Sequence, residues 1–145
     1  MAQQGQPASA PRRAFGIGWS PAAGLVGVEW VRRASAGPFG AAAGIGIGGV
    51  GARINIELRR DENAAVPDTV QRAGVPYLGA GYVVTPWLPF ANVRGVASLE
   101  IGVQTWPKVA GRMYTDLGTG AALLFMGDGS LVGGPVLRFL IGRAF

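Results

Sequence analysis

Three carboxylates, Glu57, Glu100 and Asp116, are the side chains best suited to acid–base chemistry in this chain. The 145 residues include no His and no Cys, which excludes an imidazole base, a thiolate nucleophile and the metal sites built from either. Paired carboxylates can act as general acid and base, but this needs a substrate cleft and a perturbed pKa. Each of the three lies in a segment that also carries arginine, so we interpret them as salt-bridge partners. We therefore expect no enzyme, and no catalytic, cofactor or metal site.

Two further patterns could indicate ligands. The run GIGIGGVG at 44–51 has the glycine spacing of a phosphate-binding loop, but neither a helical pattern nor a Lys-Ser/Thr pair follows it. The formal net charge of +5 is typical of nucleic-acid-binding proteins. Six of the arginines, however, fall on the same face of predicted strands as the carboxylates. The sequence therefore predicts no nucleic-acid partner, while Arg12 and Arg13 suit anionic lipid headgroups.

The composition limits the fold that can position these residues. Only 14% of the residues are charged, against about 25–35% on a typical soluble surface, and the chain contains 25 Gly and 10 Pro. No stretch reaches the roughly 18–20 uninterrupted apolar residues of a spanning helix. These features favour a membrane protein built from β-strands.

Turn-forming residues divide the chain into a short arm and eight segments. Residues 1–12 are polar and lack the apolar core of a signal peptide, so we expect a flexible arm whose signal was removed. Residues 13–145 are predicted to form one β-barrel domain, an up-and-down antiparallel meander closed into an eight-stranded transmembrane barrel. The predicted strands are 13–20, 24–33, 39–48, 52–60, 76–85, 90–105, 112–126 and 130–145.

Alternation of apolar and polar residues identifies the strands. In segment 52–60, Ile54, Ile56 and Leu58 alternate with polar residues, which is the period of a half-buried strand. Apolar residues lie at odd positions up to Ile47 and at even positions from Ile54, so 39–60 is either two strands joined by a turn or one bulged strand. We favour the turn, because it keeps an even strand count.

The second face of these strands indicates which side is inside. It is rich in glycine, which is unfavourable on an exposed strand but fits the narrow interior of an eight-stranded barrel. Arginines and carboxylates share this face and are expected to pair, since an isolated buried charge is costly. On this basis Glu100→Ala should remove the partner of an inward arginine. Besides Arg33, the predicted interior charge network comprises Glu29, Arg53, Glu57, Arg59, Arg94, Glu100, Arg112, Asp116 and Arg138.

Aromatic residues gather near the segment ends, as in the two interfacial girdles of membrane barrels. The predicted interfacial aromatics are Trp19, Trp30, Tyr77, Trp87 and Trp106.

The final strand, LRFLIGRAF, and turn phrases such as YVVTPWLPFANV complete a resemblance that covers residues 13–145. The chain is similar to the small eight-stranded outer-membrane β-barrels of the OmpA/OmpX-like kind. The resemblance implies a bacterial outer-membrane location and an assembly signal formed by Phe139, Ile141 and Phe145, which the barrel-assembly machinery reads during biogenesis. Arg143 departs from the apolar rule and is expected to extend to the interface. Barrel enzymes of this type resemble one another in using a catalytic His, which this chain lacks.

The sequence thus predicts a non-enzymatic, integral outer-membrane β-barrel with a side-chain-filled, non-conducting lumen, monomeric in the lipid bilayer. The alternative is a soluble all-β module that binds a small hydrophobic ligand or assembles into a shell or filament. Extraction without detergent separates the two.

Overall fold

The structure is an all-β closed barrel of eight antiparallel strands in meander order. It is a computed structural model that describes residues 11–22, 25–58, 73–85, 92–107 and 111–145. The strands are β1 Arg13–Ser20, β2 Leu25–Arg33, β3 Phe39–Gly46, β4 Gly49–Glu57, β5 Ala73–Val84, β6 Val93–Trp106, β7 Met113–Met126 and β8 Leu131–Ala144. The predicted fold class and strand number are therefore confirmed.

Each strand pairs with its neighbours in sequence, and β8 closes the barrel against β1 from Ala14↔Ala144 to Trp19↔Phe139. We call the end at which β1 begins and β8 ends the N/C end, and the opposite end the far end. No helix in the described part of the chain is long and apolar enough to cross a bilayer.

The change of parity in 39–60 comes from a tight turn, as predicted. Gly46 pairs with Gly49, so that Ile47 and Gly48 alone connect β3 to β4. A two-residue connection of this kind joins adjacent antiparallel strands and moves the outward positions from odd to even numbers. The turn lies a few residues before the boundary predicted between strands 39–48 and 52–60, because the apolar Val50 is already an outward strand residue.

A register shift between Val93 and Gly95 changes the start of β6. The extra residue of such a bulge interrupts the alternation of side chains. Val93 is consequently buried and Arg94 is exposed. This reverses the faces predicted for the first residues of this segment, whereas the rest of the strand keeps them.

Close strand approach explains part of the glycine content. A Cβ placed on Gly120 would lie 1.9 Å from the carbonyl oxygen of Leu99, and one on Gly142 would lie 1.8 Å from that of Phe15. No real Cβ tolerates such distances, so these strand pairs exclude any side chain at both positions.

The barrel interior contains several charged residues, and the outer surface carries many large apolar ones. All eight strands present large apolar side chains outward, among them Ile17, Trp30, Ile45, Ile54, Leu78, Leu99, Leu117 and Leu137. The buried polar and charged residues include Glu29, Arg53, Asn55, Glu57, Ser98, Glu100, Gln104, Asp116 and Arg138. The interior of the barrel therefore contains charged and polar side chains beside buried apolar ones such as Val31 and Leu140.

Candidate functional site in the barrel lumen

Asp116 on β7 is the centre of the lumenal hydrogen bonds. Its Oδ2 accepts from Arg53 Nη2 at 3.1 Å and Arg138 Nε at 2.9 Å. Gln104 Nε2 at 3.0 Å and the Tyr114 hydroxyl at 3.1 Å donate to the same oxygen. Charge-assisted bonds of this type are among the strongest in proteins. A carboxylate occupied by so many donors has little capacity left to act as a base.

The Tyr77 hydroxyl donates to the other oxygen, Asp116 Oδ1, at 2.8 Å. The guanidinium of Arg53 also lies 4.8 Å from the centre of the Tyr77 ring, within the range of a cation–π contact. Tyr77 therefore holds Arg53 and Asp116 together from a third strand, β5.

Arg138 extends the cluster towards the far end. Its Nη1 donates to Ser20 Oγ at 2.8 Å and to Glu29 Oε1 at 3.2 Å, and its Nη2 pairs with Glu29 Oε2. Ser20 in turn donates to Glu29 Oε1 at 2.9 Å. The two arginines and two carboxylates on β2, β4, β7 and β8 thus cross-link opposite walls of the barrel. We call these four residues, with Ser20, Tyr77, Gln104 and Tyr114, the lumenal cluster.

Glu100 is attached to this cluster only weakly. Its Oε1 accepts from Ser98 Oγ at 2.8 Å, whereas its Oε2 lies 3.7 Å from Arg138 Nη1 and has no hydrogen bond among the described residues. Asn55 Oδ1 and Nδ2 and Arg53 Nε and Nη1 are likewise buried without such a partner. The cluster is therefore densest at Asp116 and loosest at Glu100 and Asn55.

A separate ion pair lies at the N/C end. Arg33 donates through Nε and Nη2 to the two oxygens of Glu57, both at 2.6 Å. Its guanidinium also lies 5.1 Å from the centre of the Trp106 ring, which packs 4.8 Å from the ring of Tyr114. These side chains lie inside the barrel, on the N/C side of the lumenal cluster.

The structure brings together most of the predicted charge network. Arg94 and Arg112 do not belong to it, and their prediction was wrong. Arg94 lies at the β6 bulge, and Arg112 lies in the connection before β7, so both are exposed. Arg59 lies outside the described residues. The network residues that the structure buries are Glu29, Arg53, Glu57, Glu100, Asp116 and Arg138.

Two predicted interfacial aromatics lie inside the barrel instead. Tyr77 and Trp106 are buried, so their assignment to a girdle was wrong. The alternation carried the signal, because Tyr77 shares its parity with the inward Gly79, and Trp106 shares its parity with Gln104. Position near a segment end was a weaker criterion than parity.

Other aromatic residues do lie on the outer surface. Trp19 and Trp30 are exposed, and Trp30 makes edge contacts with Phe15 and Phe145 at 6.2 and 5.2 Å between ring centres. Trp87 lies outside the described residues. The predicted assembly-signal residues Phe139, Ile141 and Phe145 all point outward and are exposed.

Exposed arginines crowd one sector of the N/C rim. Arg13 pairs in register with Arg32, and Arg143 pairs with Phe15 on the same outer face. Arg12 and Arg112 are also exposed at this end. Like charges directly opposite one another on a sheet are unfavourable unless an anion offsets them. No described acidic residue makes an ion pair with these five arginines.

An apolar pocket of about 460 Å³ lies at the far end, above the lumenal cluster. Aliphatic side chains from five strands and two prolines form most of its wall. The lumen therefore has a charged half and an apolar half.

Comparison with protein-family models, curated proteins and solved structures found no match to this chain.

Proposed function

We propose that this protein is an integral β-barrel of a bacterial outer membrane, without enzymatic activity, whose lumen is closed to ions. The observation that carries the proposal is the inverted distribution of polarity, with paired charges inside and large apolar side chains outside. Leu99 and Ile54 on the outer face are more than 65% exposed, whereas Asp116 and Glu29 are fully buried. Soluble monomers rarely expose contiguous apolar patches beyond a few hundred Å².

The two barrel rims support the same proposal. Trp30 with its aromatic neighbours and the arginines Arg13, Arg32 and Arg143 lie at the N/C end. Aromatic rings and arginines of this kind suit the interfacial region, where the cations contact anionic headgroups. The lipid bilayer is therefore the proposed partner, and a nucleic acid is not.

The lumenal cluster supports the absence of a pore and of catalysis. Eight strands leave an interior that side chains can fill, and here Arg53, Asp116 and Arg138 bridge it. Because these carboxylates are ion-paired to arginines, they are poor candidates for a general acid or base. We propose a structural or interaction role for a monomeric barrel.

The outer-membrane location rests on the resemblance of the last strand to the assembly signal of such barrels. Phe139 and Ile141 on β8 and Phe145 just after it are exposed on the outer face, interrupted only by Arg143, and are available to the barrel-assembly machinery.

The alternative is a soluble all-β module that binds a small hydrophobic ligand, and the apolar pocket is the observation that favours it. Fractionation of expressing cells separates the two. We expect the protein in the membrane pellet after an alkaline carbonate wash and its release only by detergent. A monodisperse, detergent-free monomer in the soluble fraction would contradict the proposal.

Planar-bilayer recording tests the closed lumen. We expect no steady single-channel currents above a detergent-only control, because the arginine–carboxylate bridges cross the lumen. Steady currents from the unmodified protein would show that the lumen is open or that several chains combine to form a pore.

A further inference from the structure

The apolar pocket at the far end opens to the side of the barrel. Outward residues such as Trp19 and Leu137 and inward residues such as Val83, Val96 and Ala122 line the same cavity. A cavity enclosed by a complete wall would be lined mainly by inward residues. This one therefore runs from the lumen to the outer apolar surface.

Strand lengths explain the opening. The last residue pair between β1 and β8 is Trp19↔Phe139, whereas β8 begins eight residues earlier, at Leu131. Within the described chain, Leu131–Arg138 therefore pairs with β7 alone, and the wall above the end of β1 has no second strand. The neighbouring strands β2 and β3 are also short, so the wall is lowest on this side.

The unpaired edge of β8 is poorly suited to binding another strand. Pro135 lies in the middle of it and has no amide N–H, and proline is one of the residues that discourage pairing at a sheet edge. Leu25, which also lines the pocket, has a φ of 87° that a leucine rarely adopts. Backbone strain of this kind is concentrated at ligand sites.

The chemistry of the lining selects an uncharged, flexible apolar guest. No charged side chain of the described residues lines the pocket, and the hydroxyl of Thr85 already donates to the carbonyl of Val93. Its volume of about 460 Å³ lies within the range of about 300–1,000 Å³ of small-molecule sites. A polar headgroup has no partner there, but a hydrocarbon chain has apolar contacts along the whole cavity.

We infer that this pocket binds one acyl chain of a membrane lipid, which enters sideways over the end of β1 between Trp19 and Leu137. The inference rests on the proposed membrane location, because it takes the outer face of the barrel to be in contact with lipid. The headgroup stays at the interface, and the chain end lies against Val96 and Ala122 above the lumenal cluster.

Photolabelling in vesicles tests the inference. The full chain is reconstituted into phosphatidylcholine vesicles that contain a lipid with a diazirine at the end of one acyl chain, irradiated, digested and mapped by mass spectrometry. We expect adducts on the inward Val96 and Ala122 as well as on the outward Ile54. Adducts on Ile54 without any on Val96 or Ala122 would overturn the inference while leaving the membrane location intact. A protein that remains outside the vesicles and carries no adduct would refute the proposed function.

Two neighbouring substitutions provide a matched pair. Ala122→Trp fills the pocket, whereas Ala121→Trp adds the same side chain to the outer face one residue away. We expect Ala122→Trp to reduce labelling of Val96 at least fivefold and to leave Ile54 unchanged, and Ala121→Trp to leave both unchanged. Equal loss at Val96 in both variants would contradict a specific pocket. If Ala122→Trp does not fold, Val96→Phe, read at Ala122, replaces it.

A second arm identifies the source of the chain. A photoreactive free fatty acid is added from the aqueous side to vesicles of unlabelled lipid. Labelling of Val96 by bilayer lipid, with or without labelling by the fatty acid, supports lateral entry. Labelling by the fatty acid alone would show that the pocket is loaded from its open end, and would overturn the assignment to membrane lipid.

Discussion

Replacing Asp116 by asparagine should strongly destabilise the barrel. Asp116 is the only carboxylate within 4 Å of Arg53 among the described residues, and both side chains are fully buried. Asparagine keeps the shape and one acceptor oxygen but removes the charge, which leaves Arg53 as a buried cation without a carboxylate within 4 Å among the described residues. Breaking a buried ion pair in this way costs about 3–5 kcal/mol.

Glu100→Gln is the matched control, because it makes the same acid-to-amide change in the same lumen. Arg138 keeps Glu29 and Asp116 as partners when Glu100 loses its charge. Contrary to the expectation from sequence, Glu100 is therefore not the essential partner of an inward arginine. We expect a cost of at most about 1 kcal/mol, the value of one hydrogen bond.

The difference in the free energy of unfolding is measured by titrating both variants with urea in the same detergent and monitoring tryptophan fluorescence. Circular dichroism before the titration establishes that each variant has folded. A cost for Asp116→Asn no greater than that for Glu100→Gln would refute the proposed central role of Asp116.

Four further predictions follow from single positions. Leu99→Arg on the outer face, near the proposed bilayer midplane, should lower the free energy of unfolding in lipid vesicles by about 2–4 kcal/mol. Equal stability of the variant and the parent would show that the inner and outer faces are assigned the wrong way round. Gly120→Ala should lower the free energy of unfolding in urea titrations by about 1–3 kcal/mol, because its Cβ would meet the Leu99 carbonyl. Gly134→Ala is the control and should be neutral, because no atom lies within 4 Å of the added Cβ. Equal costs for the two variants would contradict the close approach of the strands at Gly120. Deleting Phe145 should lower the yield in cell membranes more than the refolding yield in detergent, because its proposed role is recognition by the assembly machinery. Equal losses in the two assays would contradict that role. Hydrogen bonds from the Ser130 hydroxyl and amide hold the pKa of Asp128 below its ordinary value. The turn that contains Asp128 should therefore loosen only as the pH falls through that lowered pKa. An NMR titration of the Asp128 carboxyl with an ordinary midpoint would contradict this.

The sequence predicts the barrel well because period-two alternation extends over whole strands. Once Ile54 is placed outward, Arg53 and Glu57 must face inward on the same strand, and the tight turn before Val50 follows from the change of parity. Arg94 escaped this reasoning, because a bulge shifts the register by one residue without a clear sequence signal. Tyr77 and Trp106 were misplaced because their aromatic character was given more weight than their parity.

The partners within the lumen could not be predicted in the same way. Parity places Asp116 inside, but whether it meets Arg53 or another inward arginine depends on the shear and tilt of the closed barrel. These also decide that Glu100 is attached only weakly. The proposed lateral opening depends on how far β8 extends beyond the end of β1. These two strands lie at opposite ends of the sequence, so the sequence does not show how far one extends past the other.

The two halves of the lumen depend on each other physically. The charges around Asp116 and Arg138 are tolerable only where each has a partner, so the paired cluster disfavours an apolar guest in that part of the lumen. No charged side chain of the described residues lines the pocket above it, and the proposed opening to the outer surface lies beside Trp19. An apolar chain that enters there would stop at the hydrogen-bonded layer of Ser20, Glu29 and Arg138, because passing it would require breaking buried ion pairs. The cluster that stabilises the barrel would thereby also set the depth to which a lipid chain can reach.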